Sequence, residues 1–142
     1  MIKTPFTGGC YCGAIRYRCT AKPEQIEMFK CHCHDCQRVS GGGHTPIVFV
    51  PAETFTFTQG TPRYFATDSE AMGAQAHRRS FCPECGSRLT GGEGPGSTGI
   101  GMTVGSLDDS TGFTVSVDFW VADAQPWDLM DPASTKFEKL PG

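Results

Sequence analysis

The sequence predicts a mainly β fold of short strands and many turns, and three observations carry that prediction. Glycine (18) and proline (10) together make up about a fifth of the 142 residues, which favours turns over long helices. Several short segments either alternate apolar and polar residues or run β-branched and aromatic. Seven of the eight cysteines fall in close groups at the ends of such segments, as ligand-bearing turns between strands would require. The length fits one core, and no linker or repeat divides the chain, so one domain over residues 1–142 is expected.

Composition removes several classes of function. Aromatic residues at 11% argue against disorder. A net charge of −3 lacks the basic footprint of a nucleic-acid binder. No run of about 18 apolar residues exists, so no membrane span is expected. The start, Met1 to Gly9, has no apolar stretch of the secretory kind, which points to the cytoplasm. There thiols stay reduced, and closely spaced cysteines read as metal ligands rather than disulfides. A C-x-C pair also closes on itself only with strain.

Taken in order, Gly8 to Gly13 reads as a glycine-flanked turn carrying Cys10 and Cys12. Ala14–Thr20 alternates and predicts a strand, Pro23-Glu24 breaks it, and Ile26–Lys30 predicts a second strand running into Cys31. Gln37–Ser40 predicts one short helical turn. Gly41-Gly42-Gly43 then gives a connection able to approach a metal or ligand closely. Thr45–Val50, Thr54–Thr58 and Arg63–Ala66 predict strands, the second with one aromatic face. Asp68–Ala76 reads as a loop or weak helix, and Gly91–Gly99 as a loop. Ile100–Val104 and Phe113–Val121 predict late strands, Ala124–Trp127 a turn that places a large aromatic, and Leu129, Phe137 and Leu140 scattered anchors in a polar tail.

The strongest local signal is Cys82-Pro83-Glu84-Cys85-Gly86. Two cysteines three apart can face one ion, proline fixes the entry to the turn, and glycine at the exit permits positive φ; zinc or a rubredoxin-type iron would fit. A closed structural zinc needs four ligands. Ligand counting favours joining the knuckle to Cys10 and Cys12, which leaves Cys31, Cys33 and Cys36 as a set of three with an open position, the pattern of a catalytic zinc. Joining it to two of the central three would strand three thiols, and counting alone leaves that pairing open. His32 and His34 alternate with the cysteines, so in an extended segment they point away from them. They read as polar neighbours. His44 and His77 carry no signal of their own, and Cys19 reads as a packed core thiol.

The order Gly9-Cys10-x-Cys12-Gly13-x-x-Arg16-Tyr17, then Cys31-His32-Cys33-x-x-Cys36-x-Arg38-x-x-Gly41, then Phe81-Cys82-Pro83-x-Cys85-Gly86-x-x-Leu89, resembles the glutathione-dependent formaldehyde-activating enzymes and the centromere protein V-like domains grouped with them. Ala124-Gln125-Pro126-Trp127 is similar to that family's late Ala-Pro-Trp element, with Gln125 inserted before the proline. The resemblance spans nearly the whole chain. It implies short antiparallel sheets around zinc sites, a fold shared with zinc-binding Rab-chaperone proteins. It implies two zinc ions per chain: a structural one at Cys10, Cys12, Cys82 and Cys85, and a labile, partly occupied or catalytic one at Cys31, Cys33 and Cys36. It also implies a carbon–sulfur lyase activity that condenses glutathione with formaldehyde to S-hydroxymethylglutathione.

In that reading a small-molecule thiol, glutathione or another, is the partner, and zinc would hold it as a nucleophilic thiolate. Lys30, Arg38, Arg78 and Arg79 lie beside cysteine groups, where they either pair with substrate carboxylates or stand as solvated surface charges. A non-catalytic zinc module, its three-cysteine set serving as a binding surface or redox-sensitive thiol store, is the alternative. Hydrolytic zinc chemistry would need Asp35 or His34 as a base.

Overall fold

The computed structural model describes residues 1–67, 77–93 and 97–141. Among them the strands form three small sheets. β1 (Phe6–Gly9), β2 (Arg16–Cys19) and β5 (Phe55–Gln59) make an antiparallel sheet in the order β1-β2-β5. β3 (Glu27–Cys31), β4 (Thr45–Pro51), β8 (Thr90–Gly91), β9 (Gly99–Thr103), β10 (Val117–Phe119) and β11 (Thr135–Lys136) make a second, ordered β11-β10-β3-β4-β9-β8. β6 (Arg63–Thr67) and β7 (His77–Phe81) form an antiparallel ribbon. The fold is thus mainly β, in small sheets. Pairing is antiparallel except at β10, which lies parallel to both β3 and β11.

Strand alternation decides where the core ends and where a cavity begins. Val48 and Val50 on β4 are fully buried and join Tyr17 and Cys19 of β2, Met102 of β9 and Leu89 in one core cluster. The alternate residues of β4, Thr45, Ile47 and Phe49, face away from Val48 and Val50 and line a cavity that Met102 also borders. Phe29 and Cys31 on β3, Phe119 on β10 and Arg79 on β7 line the same cavity. Gly99 is required by space, since a Cβ there would lie 2.3 Å from the Phe49 ring.

Tyr17 fixes the first sheet to the chain that follows β9. Its hydroxyl lies 2.7 Å from Ser106 Oγ, and its side chain is completely buried. Ser106 also donates to Thr103 O, so Tyr17→Phe leaves the serine partly satisfied. The substitution is expected to cost about 1 kcal/mol in chemical denaturation, the net worth of one hydrogen bond.

The helix α1 (His34–Ser40) starts three residues before the helical turn expected at Gln37–Ser40. Cys33 caps it, its sulfur accepting from the Cys36 backbone N–H at 3.3 Å. Gly41 ends it at φ 75°. The late strand is shorter than expected: only Val117–Phe119 of Phe113–Val121 pairs. A turn closed by Phe113 N–H on Ser110 O precedes it, and Trp120, at φ 59°, ends it in the left-handed region. Trp127 sits on the expected turn but is exposed, as are Leu129 and Leu140; the large aromatic that the core receives here is Trp120. The loop or weak helix expected at Asp68–Ala76 lies outside the described residues. The expected Gly91–Gly99 loop is bounded by β8 and β9, with 94–96 outside them. No helix among the described residues is long and apolar enough to cross a membrane.

Candidate metal centres and the cavity beside them

Two turns deliver the first group of thiols. Gly13 N–H donates to Cys10 O and Gly86 N–H to Cys82 O, and both glycines have positive φ, 81° and 77°. No atom lies within 4 Å of a Cβ placed at either glycine, so backbone conformation rather than space requires them. Tyr11 N–H donates to Ser87 Oγ at 2.9 Å, tying one turn to the other. The sulfurs of Cys10, Cys12, Cys82 and Cys85 all lie within 4.8 Å of one another, with Cys10 to Cys12 at 3.6 Å and Cys12 to Cys82 at 3.8 Å. A tetrahedral zinc about 2.3 Å from each thiolate separates the sulfurs by about 3.8 Å, so this set fits such an ion. Cys10 and Cys82 are buried in the core cluster, and Cys12 and Cys85 lie at the surface.

The thiols of this set oppose one another's ionisation. Ser87 hydrogen bonds bring Cys85 down to about 5. The Ala14 backbone favours the Cys12 thiolate, yet desolvation and the thiols of Cys10, Cys85 and Cys82 push it up to about 12. A divalent cation at the centre removes the conflict, because all four can then be thiolates.

The second group sits where β3 runs into α1. Cys31, Cys33 and Cys36 are all buried, and their sulfurs lie within 4.8 Å of one another. Among the described residues no fourth cysteine, histidine or carboxylate joins them. Cys36 is pulled down to about 3 by hydrogen bonds from Cys31 and Cys33, against its own burial and with help from the Arg79 charge. Cys31 is pushed far up by its hydrogen bonds with Cys33 and Cys36 and by burial. Three thiols that support only one thiolate form a donor set suited to a soft cation. Trp120 is buried in one cluster with all three, and Phe119 and Ile47 pack against that cluster.

His32 points away from the cysteines, as alternation requires, into a buried carboxylate clamp. Its Nε2 lies 2.7 Å from Asp118 Oδ1 and its Nδ1 2.6 Å from Asp128 Oδ2. Ser134 donates to Asp118, and His44 Nδ1 lies 2.9 Å from Asp128 Oδ1. Burial opposes ionisation of Asp118, but the Ser134 and His32 hydrogen bonds outweigh it and hold its carboxyl below the usual range. His32, His44 and Asp128 are close enough to be counted as possible ligands, but both ring nitrogens of His32 are already taken by carboxylates. His34, expected as a polar neighbour, is exposed on α1, 3.8 Å from Asp123. Gly43 makes a close approach to Asp128: a Cβ there would meet Asp128 Cγ at 2.6 Å.

Sequence reasoning found none of Asp118, Asp128, His44 or Trp120. Asp118, Asp128 and Trp120 are single residues far from the cysteines in sequence, His44 is a lone histidine shortly after Cys36, and only the parallel pairing of β10 with β3 brings Asp118 and Phe119 beside Lys30 and Cys31.

The cavity opens on the three-cysteine set from the side of Cys31 and Cys36. Its volume is about 170 Å3. Phe29, Phe49, Phe119, Val39, Ile47 and Met102 make its wall largely apolar, and Arg79 and Arg88 are its cations. Of the four basic residues flagged beside cysteines, Arg38 and Arg78 are exposed, Arg78 over the Tyr64 ring, and Lys30 is half-buried. Arg79 alone is buried, so the reading of surface charge fails for it. Cys19, the eighth cysteine, is a packed core thiol as expected.

The description "glutathione-dependent formaldehyde-activating enzyme" matches residues 5–123 as a family. A Halomonas elongata protein provisionally named a glutathione-dependent formaldehyde-activating enzyme is 29% identical over 83 residues, 58% of this chain and 52% of that protein. The chain therefore spans about half the length of that curated relative. A crystal structure of a Rhodobacter sphaeroides protein superposes with a TM-score of 0.57 at 16% identity, over 72% of this chain and 87% of the other. At that identity the likeness concerns the fold.

Proposed function

The chain belongs to the family of glutathione-dependent formaldehyde-activating enzymes, and from that membership we propose a zinc-dependent enzyme of the carbon–sulfur lyase type, one domain over residues 1–142. It joins a thiol such as glutathione to formaldehyde or a related small electrophile, in the cytoplasm. The observation that carries the reading is a set of three thiols, Cys31, Cys33 and Cys36, lacking a fourth ligand among the described residues, with Cys31 and Cys36 lining a cavity. Cys10, Cys12, Cys82 and Cys85 hold a structural zinc in this reading.

Zinc held by the three cysteines would lower the pKa of a thiol in its open position and keep it as a thiolate. In the overall reaction the sulfur forms a bond to the aldehyde carbon and the C=O π bond breaks toward oxygen. The proton given up by the thiol ends on that oxygen, and the product is a hemithioacetal. The protein's own residues position and shield. Cys33 caps α1 and so fixes Cys36 relative to it. The His32 clamp holds the segment between Cys31 and Cys33 in place. Trp120 and Phe119 keep water from the thiol set.

The test is exchange NMR on zinc-loaded protein mixed with glutathione and formaldehyde. Exchange between free and hydroxymethylated thiol is expected to run faster than in buffer, and to fall to the buffer rate in Cys33→Ser. Exchange that is no faster with protein, or that survives Cys33→Ser, would reject the reading.

A further inference from the structure

Arg79 is the residue whose surroundings the reaction does not explain. It is 4% exposed and lines the cavity beside Cys36. Its Nε and Nη2 are buried with no hydrogen-bond partner among the described residues. A guanidinium stripped of water without an acceptor is costly, and a ligand anion in the cavity removes that cost. Arg88, half-buried at the same cavity, adds a second positive charge, so the end of the cavity near Arg79 is electropositive while the rest is hydrocarbon and aromatic.

Size narrows the ligand further. The cavity, partly open to solvent, has a volume of about 170 Å3. An apolar protein cavity of about 150 Å3 holds a benzene molecule. Glutathione carries two carboxylates and an ammonium on a flexible tripeptide. It would have to desolvate several charges against Phe29, Phe49, Ile47 and Phe119, which offer none of them a partner. A ring or short branched chain bearing one anion fits the volume and places that anion on Arg79, the buried cation whose Nε and Nη2 have no partner among the described residues.

Resting on the thiol-binding reading of the three-cysteine set, we infer that the cavity selects a compact apolar thiol carrying one carboxylate, with Arg79 as the carboxylate-binding residue and the Phe29, Phe49 and Phe119 rings around the apolar body. Bidentate pairing suits the planar guanidinium, and the water-poor wall strengthens it. The thiol end then reaches the Cys31 and Cys36 side of the cavity.

Calorimetric titration of the zinc-loaded protein tests this with four probes: 3-mercaptobenzoate, benzenethiol, benzoate and glutathione. 3-Mercaptobenzoate is expected to bind at least about 10-fold more tightly than glutathione. Arg79→Met is expected to weaken 3-mercaptobenzoate by about 10- to 100-fold, the range of a hydrogen bond to a charged group, and to change benzenethiol by less than about 3-fold. Zinc content is measured in parallel, because Arg79 also lies near Cys36. If glutathione binds wild type as tightly as 3-mercaptobenzoate, the inference is overturned and the thiol-binding reading stands. This comparison needs no variant, so it decides even if Arg79→Met does not fold. If Arg79→Met weakens benzenethiol as much as 3-mercaptobenzoate, Arg79 serves the metal set and the inference is again overturned. If benzoate binds through Arg79 while no thiol binds at all, the anion subsite is upheld and the thiol-binding reading fails.

Discussion

Cys82→Ser is expected to abolish the folded state under conditions where the wild type is fully folded. The Cys10–Cys12 turn and the Cys82–Cys85 knuckle meet across 70 residues of sequence, so an ion between them closes a long loop. Cys82 is completely buried and packs in the same core cluster as Tyr17 and Leu89. A structural zinc contributes apparent binding energy of about 10–16 kcal/mol, as much as or more than the whole stability of a typical domain, about 5–15 kcal/mol. Serine is a poor zinc ligand and leaves a buried hydroxyl in the core. The expected result is loss of the β-sheet circular dichroism signal and of the dispersed amide spectrum. Cys36→Ser is the matched control, since it is also buried but belongs to the other set; it should lose one metal and keep the fold. A native spectrum for Cys82→Ser would show that the four-cysteine set does not organise the fold.

His32→Ala is expected to destabilise the protein by about 1.5–3 kcal/mol, the worth of a hydrogen bond to a charged group, because it removes the ring that bonds two buried carboxylates. Both carboxylates it leaves behind are buried, Asp118 completely and Asp128 to 8% exposure. Asp118 keeps Ser134 and Asp128 keeps His44, which puts the loss nearer the lower end of that range. Urea denaturation of the zinc-loaded protein measures it, and a shift below about 1 kcal/mol would show that the clamp is not stabilising. The sign of the pH effect follows from Asp118. Its carboxyl lies below the 3.8 of a free aspartate. Its stabilisation is therefore complete above the ordinary carboxylate range and is lost as pH falls through the lower folded value. Asp118→Asn should flatten that part of the acid limb.

The mainly β class, most strand positions and the grouping of the cysteines were legible in the sequence, because alternation and ligand spacing are local signals. The direction of His32 was legible for the same reason: neighbouring residues in an extended segment face opposite sides. What His32 meets was not, because Asp118 and Asp128 come from residues whose placement depends on the long-range pairing of β10 with β3. Burial of Arg79 was hidden similarly. Arg78 and Arg79 look alike in sequence, and only the register of β7 against β6 turns one outward over Tyr64 and the other into the cavity. Phe113–Ser116 read as strand from composition, but the turn ending at Phe113 N–H and the left-handed Trp120 confine pairing to three residues. Trp120 itself was absorbed into that strand, although its ring walls the three-cysteine set.

The central claim is that the chain holds two metal ions of different kinds, one closed and one open. The most direct test is zinc content during titration with a chelator, followed alongside circular dichroism. The expected result is two zinc per chain, the first removed by a weak chelator without change in the spectrum and absent from Cys33→Ser, the second removed only with unfolding. A single zinc per chain, or two that leave together as the protein unfolds, would contradict it.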